Sequence, residues 1–73
     1  MARIEAKTEV TGLVALIESK VGDRIAAGDP VMLIDSMKMQ IPVLVEETGT
    51  LHQILVTVGD AVSEGQVVAI LEK

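Results

Sequence analysis

Ser36-Met37-Lys38-Met39 is the stretch of this 73-residue chain best suited to chemistry. A lysine presents a primary amine on a flexible four-carbon stem, and a separate enzyme can acylate it, which removes the charge and leaves an arm. The methionines on either side carry soft, adaptable apolar side chains, and exposing them costs hydration free energy that recognition by a partner would recover. Nothing else in the sequence offers a reaction. His52 is the single histidine, there is no Cys or Tyr, and no Gly-rich phosphate loop occurs, so neither a catalytic constellation nor an all-protein zinc site can be assembled. His52 lies in a strand-like run and reads as a surface strand residue. Lys7 near a turn, Lys20 ahead of a Val-Gly-Asp turn and Lys73 at the end of the sequence read as solvated charges.

Taken alone, Met-Lys-Met also fits a plainer role, in which the two methionines cap the open end of a sandwich and Lys38 stays an ordinary amine. Its position in the chain separates the two readings. Residues 11–35 align without a gap on residues 48–72 at an offset of 37, with identities Thr11/Thr48, Gly12/Gly49, Ile17/Ile54, Val21/Val58, Gly22/Gly59, Asp23/Asp60, Gly28/Gly65 and Val31/Val68. Two copies are too few for a solenoid, so they are expected to close on each other about a pseudo-two-fold axis. Ser36–Gln40 falls at the junction of the copies, where that symmetry calls for one protruding hairpin. The counterpart of the hairpin is the meeting of the C-terminus with an N-terminal strand around Ile4, so the chain ends should lie opposite the tip.

Each copy reads as strand, Gly-Asp turn, very short strand, Gly turn, strand, because aliphatic and β-branched runs are bounded by glycines. No stretch has helical periodicity. In Val21-Gly22-Asp23 and Val58-Gly59-Asp60 the glycine can take a positive φ while the Asp side chain bonds nearby backbone amides. The expected core is Ile17, Val21, Ile25, Val31 and Leu33 with their counterparts Ile54, Val58, Val62, Val68 and Ile70; Met32 is expected to pack inside a strand. A further strand, Ile41–Val45, follows the tip, and Pro42 should hold it to a sheet edge or an irregular pairing, since proline cannot donate a ladder hydrogen bond. Two similar sheets of short strands that each hide an apolar face make an all-β sandwich or flattened barrel, a single domain over residues 1–73. A tight hairpin usually recruits Asn-Gly or Asp-Gly. The only candidate turn here offers Ser36, Met37, Lys38 and Met39, which suggests that function overrides local preference.

Composition narrows the partners. Hydrophobic residues make up 49% of the chain but none is aromatic, which favours strands over a large ligand pocket. With a net charge of −5 and no ring for a base to stack on, nucleic acid is not an expected partner. No apolar run is long enough to span a bilayer and the first residues lack the apolar core of a signal peptide, so no membrane partner and a cytoplasmic location are expected.

These residues resemble the biotinyl/lipoyl attachment domains over essentially the whole chain. That family has a G-D-x-V-x-x-G-Q-x-L turn unit in each half, an acidic residue before the modified hairpin, and Ala-Met-Lys-Met or Ser-Met-Lys-Met at its tip. Here these are Gly22-Asp23 with Gly28-Asp29, Gly59-Asp60 with Gly65-Gln66, then Asp35 and Ser36-Met37-Lys38-Met39. Many members carry Ala-Pro ahead of the glycine that opens each half, where this chain has Thr8-Glu9 and Val45-Glu46. The gap-free repeat leaves no room for an inserted thumb, so the chain looks more like the carrier domains of propionyl-CoA-type or pyruvate-type carboxylases, or the short freestanding attachment proteins.

The resemblance implies a flattened barrel of two four-stranded antiparallel sheets with internal pseudo-two-fold symmetry. It also implies that Lys38 is joined to the biotin carboxylate by an amide bond, with Met37 and Met39 marking it for a biotin protein ligase and for the carboxylase partners. Ser36 and Asp35 complete the implied site, Asp35 as a strand-end acid that positions the hairpin or contacts the ligase. The implied partners are that ligase, a biotin carboxylase and a carboxyltransferase, with a carboxyl group carried between the last two and no catalysis by the domain itself. Without a flexible linker in the sequence, a freestanding chain would dock as a separate subunit. The alternatives are a lipoyl arm on Lys38, against which the two flanking methionines argue because lipoyl members typically show Asp-Lys-Ala, a dual carrier that accepts biotin or lipoate, as some freestanding Ser-Met-Lys-Met members do, and an unmodified interaction module, in which Lys38→Arg would leave function intact.

Overall fold

The computed structural model of the chain describes residues 2–73, which form eight strands and no helix. In chain order these are β1 Arg3–Lys7, β2 Gly12–Ile17, β3 Arg24–Ile25, β4 Pro30–Ser36, β5 Met39–Leu44, β6 Gly49–Ile54, β7 Ala61–Val62 and β8 Val67–Glu72. They pair into two four-stranded antiparallel sheets, β1-β8-β6-β3 and β5-β4-β2-β7. The second contains the Met-Lys-Met hairpin and is called the lysine sheet below; the first holds the first and last strands and is called the terminal sheet.

The repeat offset of 37 reappears in the pairing. Ile34 faces Ile41 in the β4–β5 hairpin as Leu71 faces Ile4 between β8 and β1, and Gly12 faces Val62 as Gly49 faces Ile25. Each half therefore lends its short middle strand to the other half's sheet: β3 joins β6, and β7 joins β2. Backbone bonds outside the ladders follow the same symmetry, Gly22 N–H to Leu51 O at 2.7 Å and Gly59 N–H to Val14 O at 2.8 Å.

The Val-Gly-Asp turns form as the sequence predicts. Gly22 and Gly59 have φ of 101° and 96°. The Asp23 and Asp60 carboxylates accept hydrogen bonds from the backbone N–H of Lys20 (3.0 Å) and Thr57 (2.9 Å). Such a closed turn turns its second residue outward, which corrects the placement of Val21 and Val58 in the core: both are exposed. Their identity across the repeat reflects the turn.

The core lies between the sheets and is made of Ile4, Ala6, Val14, Ile25, Val31, Met32, Ile34, Val43, Val45, Leu51, Val56, Val62, Val68, Ala69 and Leu71. Ile25, Val31, Val62 and Val68 were expected there, and Met32 packs inside its strand as expected; Ile17 and Ile54 are half-buried against the cluster. Leu33 and Ile70 are corrected to the outer faces, half-buried, while Ile34 and Leu71 point inward. The reason is a register shift in each half, between Pro30 and Met32 in the β4–β5 pairing and between Ala6 and Lys7 in the β1–β8 pairing. A bulge of this kind breaks the two-residue alternation, so neighbours such as Val31 and Met32 are both buried and the inward phase moves by one.

Thr8 is the one buried polar side chain among the described residues. Its hydroxyl donates to Val10 O at 2.8 Å and accepts from Val10 N–H at 3.2 Å, so burying it leaves no polar atom unpaired. Thr8 stands one strand-end residue beyond β1, at the place where the sequence departs from the Ala-Pro pattern.

Candidate functional site

β4 and β5 are long enough to carry a hairpin beyond the body of the sheet because both are apolar on the inner side and pair from Pro30↔Leu44 to Ser36↔Met39. Pro42 sits in β5, the edge strand of the lysine sheet, as its missing donor requires. The pairing of Ser36 with Met39 leaves a two-residue loop of Met37 and Lys38, with φ of 49° and 69°. Positive φ at both central residues is the mark of a type I′ turn, whose twist matches that of the strands and which normally takes Asn-Gly. Among the described residues these are the only non-glycine positions with positive φ.

The tip is open to solvent on all sides. Met37 is 93% exposed and Met39 64%, and Lys38 is exposed between them. Among the described residues, Lys7 lies 3.9 Å from Glu5 and Lys73 pairs with Glu47, while Lys38 belongs to no ion pair. A primary amine without a partner and with no wall around it is a suitable acceptor for a covalent group that needs no pocket, so the residues present fit an amide-linked arm. A surface groove of about 700 Å³ lined by residues such as Arg3, Glu5, Glu9, Glu46 and Glu64 does not reach residues 35–39.

The base of the hairpin is pinned. Ser36 Oγ donates to the Thr11 carbonyl at 2.9 Å, tying the end of β4 to the residue that precedes β2. Beside it, Gly12 passes so close to β4 that a Cβ there would collide with the Asp35 carbonyl oxygen. Asp35 itself faces Leu13 on one side and Gln40 on the other, with its side chain exposed on the outer face of the lysine sheet. Its backbone, packed against Gly12, is what positions the hairpin; its carboxylate is free to meet a partner and belongs to none of the ion pairs seen among the described residues.

Thr11 and Gly12 were not singled out in the sequence as supports of the tip. The signal was there, since Thr11-Gly12 recurs as Thr48-Gly49. Thr11 Oγ1 accepts from Glu64 N–H at 3.1 Å and Thr48 Oγ1 from Ala27 N–H at 3.0 Å, so each threonine ties one half to the other. His52 is a bulged surface residue of β6 with Nδ1 3.2 Å from a Glu72 oxygen, far along the chain from the tip and in the other sheet.

Two facing sheets with a rigid hairpin that displays one lysine define a carrier-type attachment domain. The chain belongs to the Biotin_lipoyl family: the family's sequence profile, described as "Biotin-requiring enzyme", matches residues 5–71. It is 34% identical over 67 residues to the "Biotinylated protein TB7.3 homolog" of Mycobacterium leprae, covering 92% of this chain and 94% of that protein. It is also 34% identical over 59 residues to the "Biotin/lipoyl attachment protein" of Bacillus subtilis, covering 81% of each. A third relative is the "Dihydrolipoyllysine-residue acetyltransferase component of pyruvate dehydrogenase complex" of Buchnera aphidicola, 33% identical over 63 residues, with 84% of this chain matching 15% of that one. Among solved structures, the Kluyveromyces lactis urea carboxylase superposes with a TM-score of 0.93 at 32% identity, over 99% of this chain and 6% of that one. The two-sheet fold expected from the sequence is thus the observed one.

Proposed function

We propose that this chain is a biotin carboxyl carrier protein in which Lys38 receives biotin from a biotin protein ligase. The observation that carries the reading is the pair of positive φ angles at Met37 and Lys38, which turns an exposed Met-Lys-Met outward on a pinned hairpin. A sequence free to choose would place Asn-Gly there. Keeping a methionine and a lysine at that turn makes sense if a ligase reads the methionines and acylates the amine.

In this reading each residue of the hairpin has its own part. Lys38 supplies the nucleophilic nitrogen and afterwards the flexible stem. Ser36 and Gly12 hold the turn on the body, so that the stem moves while its root does not. Met37 and Met39 provide apolar contact on both flanks of the amine. When attached, biotin supplies a ring nitrogen that takes up and gives up a carboxyl group. The domain adds no chemistry of its own; it holds the arm so that two separate sites see a high local concentration of it. The partners in this reading are a biotin carboxylase and a carboxyltransferase, and the site of action is the cytoplasm.

A lipoyl arm is the second reading, favoured by the likeness to the Buchnera acetyltransferase component. The flanking methionines favour biotin over it. Parallel incubations with a biotin protein ligase plus biotin and with a lipoate ligase plus lipoate, read by intact mass, test the assignment. Biotin-sized gain that is faster than lipoyl-sized gain is expected, and lipoyl gain alone would overturn it.

A further inference from the structure

The pseudo-two-fold symmetry supplies an internal control for the surface of the lysine sheet. Residues paired across strands share a face, so the registers define two matching outer surfaces. On the lysine sheet the first row is Ala61–Leu13–Asp35–Gln40, the second Leu16–Leu33–Pro42, and the third Pro30–Leu44. At the equivalent places on the terminal sheet the rows are Arg24–Thr50–Glu72–Arg3, Gln53–Ile70–Glu5 and Val67–Lys7. Six of the nine positions on the first face are leucine or proline, against two apolar positions, Ile70 and Val67, among the nine on the second.

The leucines are well exposed: Leu13 by 52%, Leu16 and Leu44 by 48% each. Scattered exposed leucines are ordinary on a protein surface. Here they are contiguous, and the same backbone in the other half carries Thr50, Gln53 and Lys7, so neither the strands nor the bulges require apolar residues at these places. Lys38 stands on the hairpin of this sheet; the first row behind it presents Asp35 and Gln40 beside Leu13, and the row of Leu16, Leu33 and Pro42 follows. We infer that the outer face of the lysine sheet is the docking surface for the enzyme that acylates Lys38, which meets it with an apolar surface and sets a basic side chain against Asp35.

The reach of the lysine selects this occupant. An unmodified stem extends only about 6 Å from the backbone, while Gln40, in the first row, lies two residues behind Lys38, about 7 Å at strand spacing. An enzyme that closes on the bare amine must therefore cover the first row. The charges select its complement. Asp35 lies in that row, whereas Glu18, Asp29 and Glu46 stand beyond the ends of β2, β4 and β5 that point away from the hairpin. Lys7 of β1 lines a surface groove together with Pro42, Leu44 and Glu46, so the border of the face away from the hairpin is mixed in charge, and the acid nearest Lys38 on this face is Asp35.

The inference rests on the carrier reading. In the reaction itself, ATP activates the biotin carboxylate as its adenylate with loss of pyrophosphate. Lys38 Nζ then forms the amide bond as the bond to AMP breaks, and the amine proton passes to solvent.

The test exchanges the face for its own counterpart. Leu13→Thr, Leu16→Gln and Leu44→Lys are combined in one variant, with Leu13→Thr alone as a milder second, and Thr50→Leu with Gln53→Leu on the terminal sheet as the control. Each folded protein, checked by circular dichroism, is labelled by a purified bacterial biotin protein ligase with biotin and ATP, and incorporation is followed by mass. The triple variant should lose at least tenfold in kcat/KM, mostly through KM, Leu13→Thr should lose a smaller share, and the control should stay within twofold. Labelling of the triple variant within twofold of the unchanged protein, or equal losses from the two faces, overturns the docking surface and leaves the carrier reading standing. An unchanged protein that takes no biotin at all overturns both.

Discussion

Met37 and Lys38 stand side by side in the left-handed backbone region, at the two central positions of a hairpin whose tip contains neither glycine nor asparagine. A non-glycine residue held there costs on the order of 1–3 kcal/mol, and such strain persists only where surrounding structure imposes it. The β4–β5 pairing, which runs to Ser36↔Met39 and leaves only two residues for the loop, imposes it, and the Ser36–Thr11 bond and the close passage of Gly12 under Asp35 hold the base of that hairpin.

Relieving the strain should stabilise the unmodified protein. Met37→Asn with Lys38→Gly, the usual residues of a type I′ turn, is expected to add about 1 kcal/mol, a rise of roughly 4–8 °C in Tm for a domain of this size. Thermal denaturation followed by circular dichroism measures it. A lower Tm would mean that the methionine and lysine side chains stabilise the turn.

Gly12 and Gly49 are equivalent by the repeat but unequally crowded. A Cβ at Gly12 collides with the Asp35 carbonyl oxygen, whereas at Gly49 it stands 3.0 Å from the Glu72 carbonyl oxygen and 3.1 Å from Ile4 Cδ1. Gly12→Ala should therefore cost about 2–4 kcal/mol and Gly49→Ala clearly less. Urea denaturation of the two variants checks the order, and the reverse order would contradict the close approach under the hairpin.

Adjacent residues of β4 separate the core from its outer face. Met32 is fully buried and Leu33 is half-buried on the outside. Met32→Ala is expected to cost about 2–5 kcal/mol, and Leu33→Ala less than about half as much, in the same denaturation assay. Similar losses would place Leu33 in the core, as its sequence spacing first suggests.

That spacing marks where sequence reasoning stops. The offset of 37 gave the halves, the turns and the hairpin between them, because glycine positions and Asp-capped turns are local and leave a trace in residue type. The edge position of Pro42 was legible for the same reason, since a missing donor restricts a strand wherever it lies. The inward phase of β4 and β8 was not legible, because a bulge shifts alternation by one residue and neither Val31 nor Met32 signals it. Val21 and Val58 misled because an identity across the repeat looks like core when it marks a turn. At the tip, Lys38 and its methionines could be picked out by type and position. Its supports could not, because they are backbone contacts: the Thr11 carbonyl that receives Ser36, and the space beneath Asp35 that only Gly12 leaves open.

Ser36→Ala isolates the pin from the turn. Losing one solvent-exposed hydrogen bond should cost about 0.5–1.5 kcal/mol and leave Lys38 available, so biotin labelling by a ligase should persist at a reduced rate. Complete loss of labelling with an intact fold would show that Ser36 is read directly by the ligase.

The central claim is that Lys38 is the residue that carries biotin, and the most direct measurement is intact-mass spectrometry after co-expression with a biotin protein ligase and free biotin. The unchanged chain should gain the mass of one biotin less one water, and Lys38→Arg, with the same circular dichroism spectrum, should gain nothing. The same gain in both proteins, or in neither, would contradict the claim.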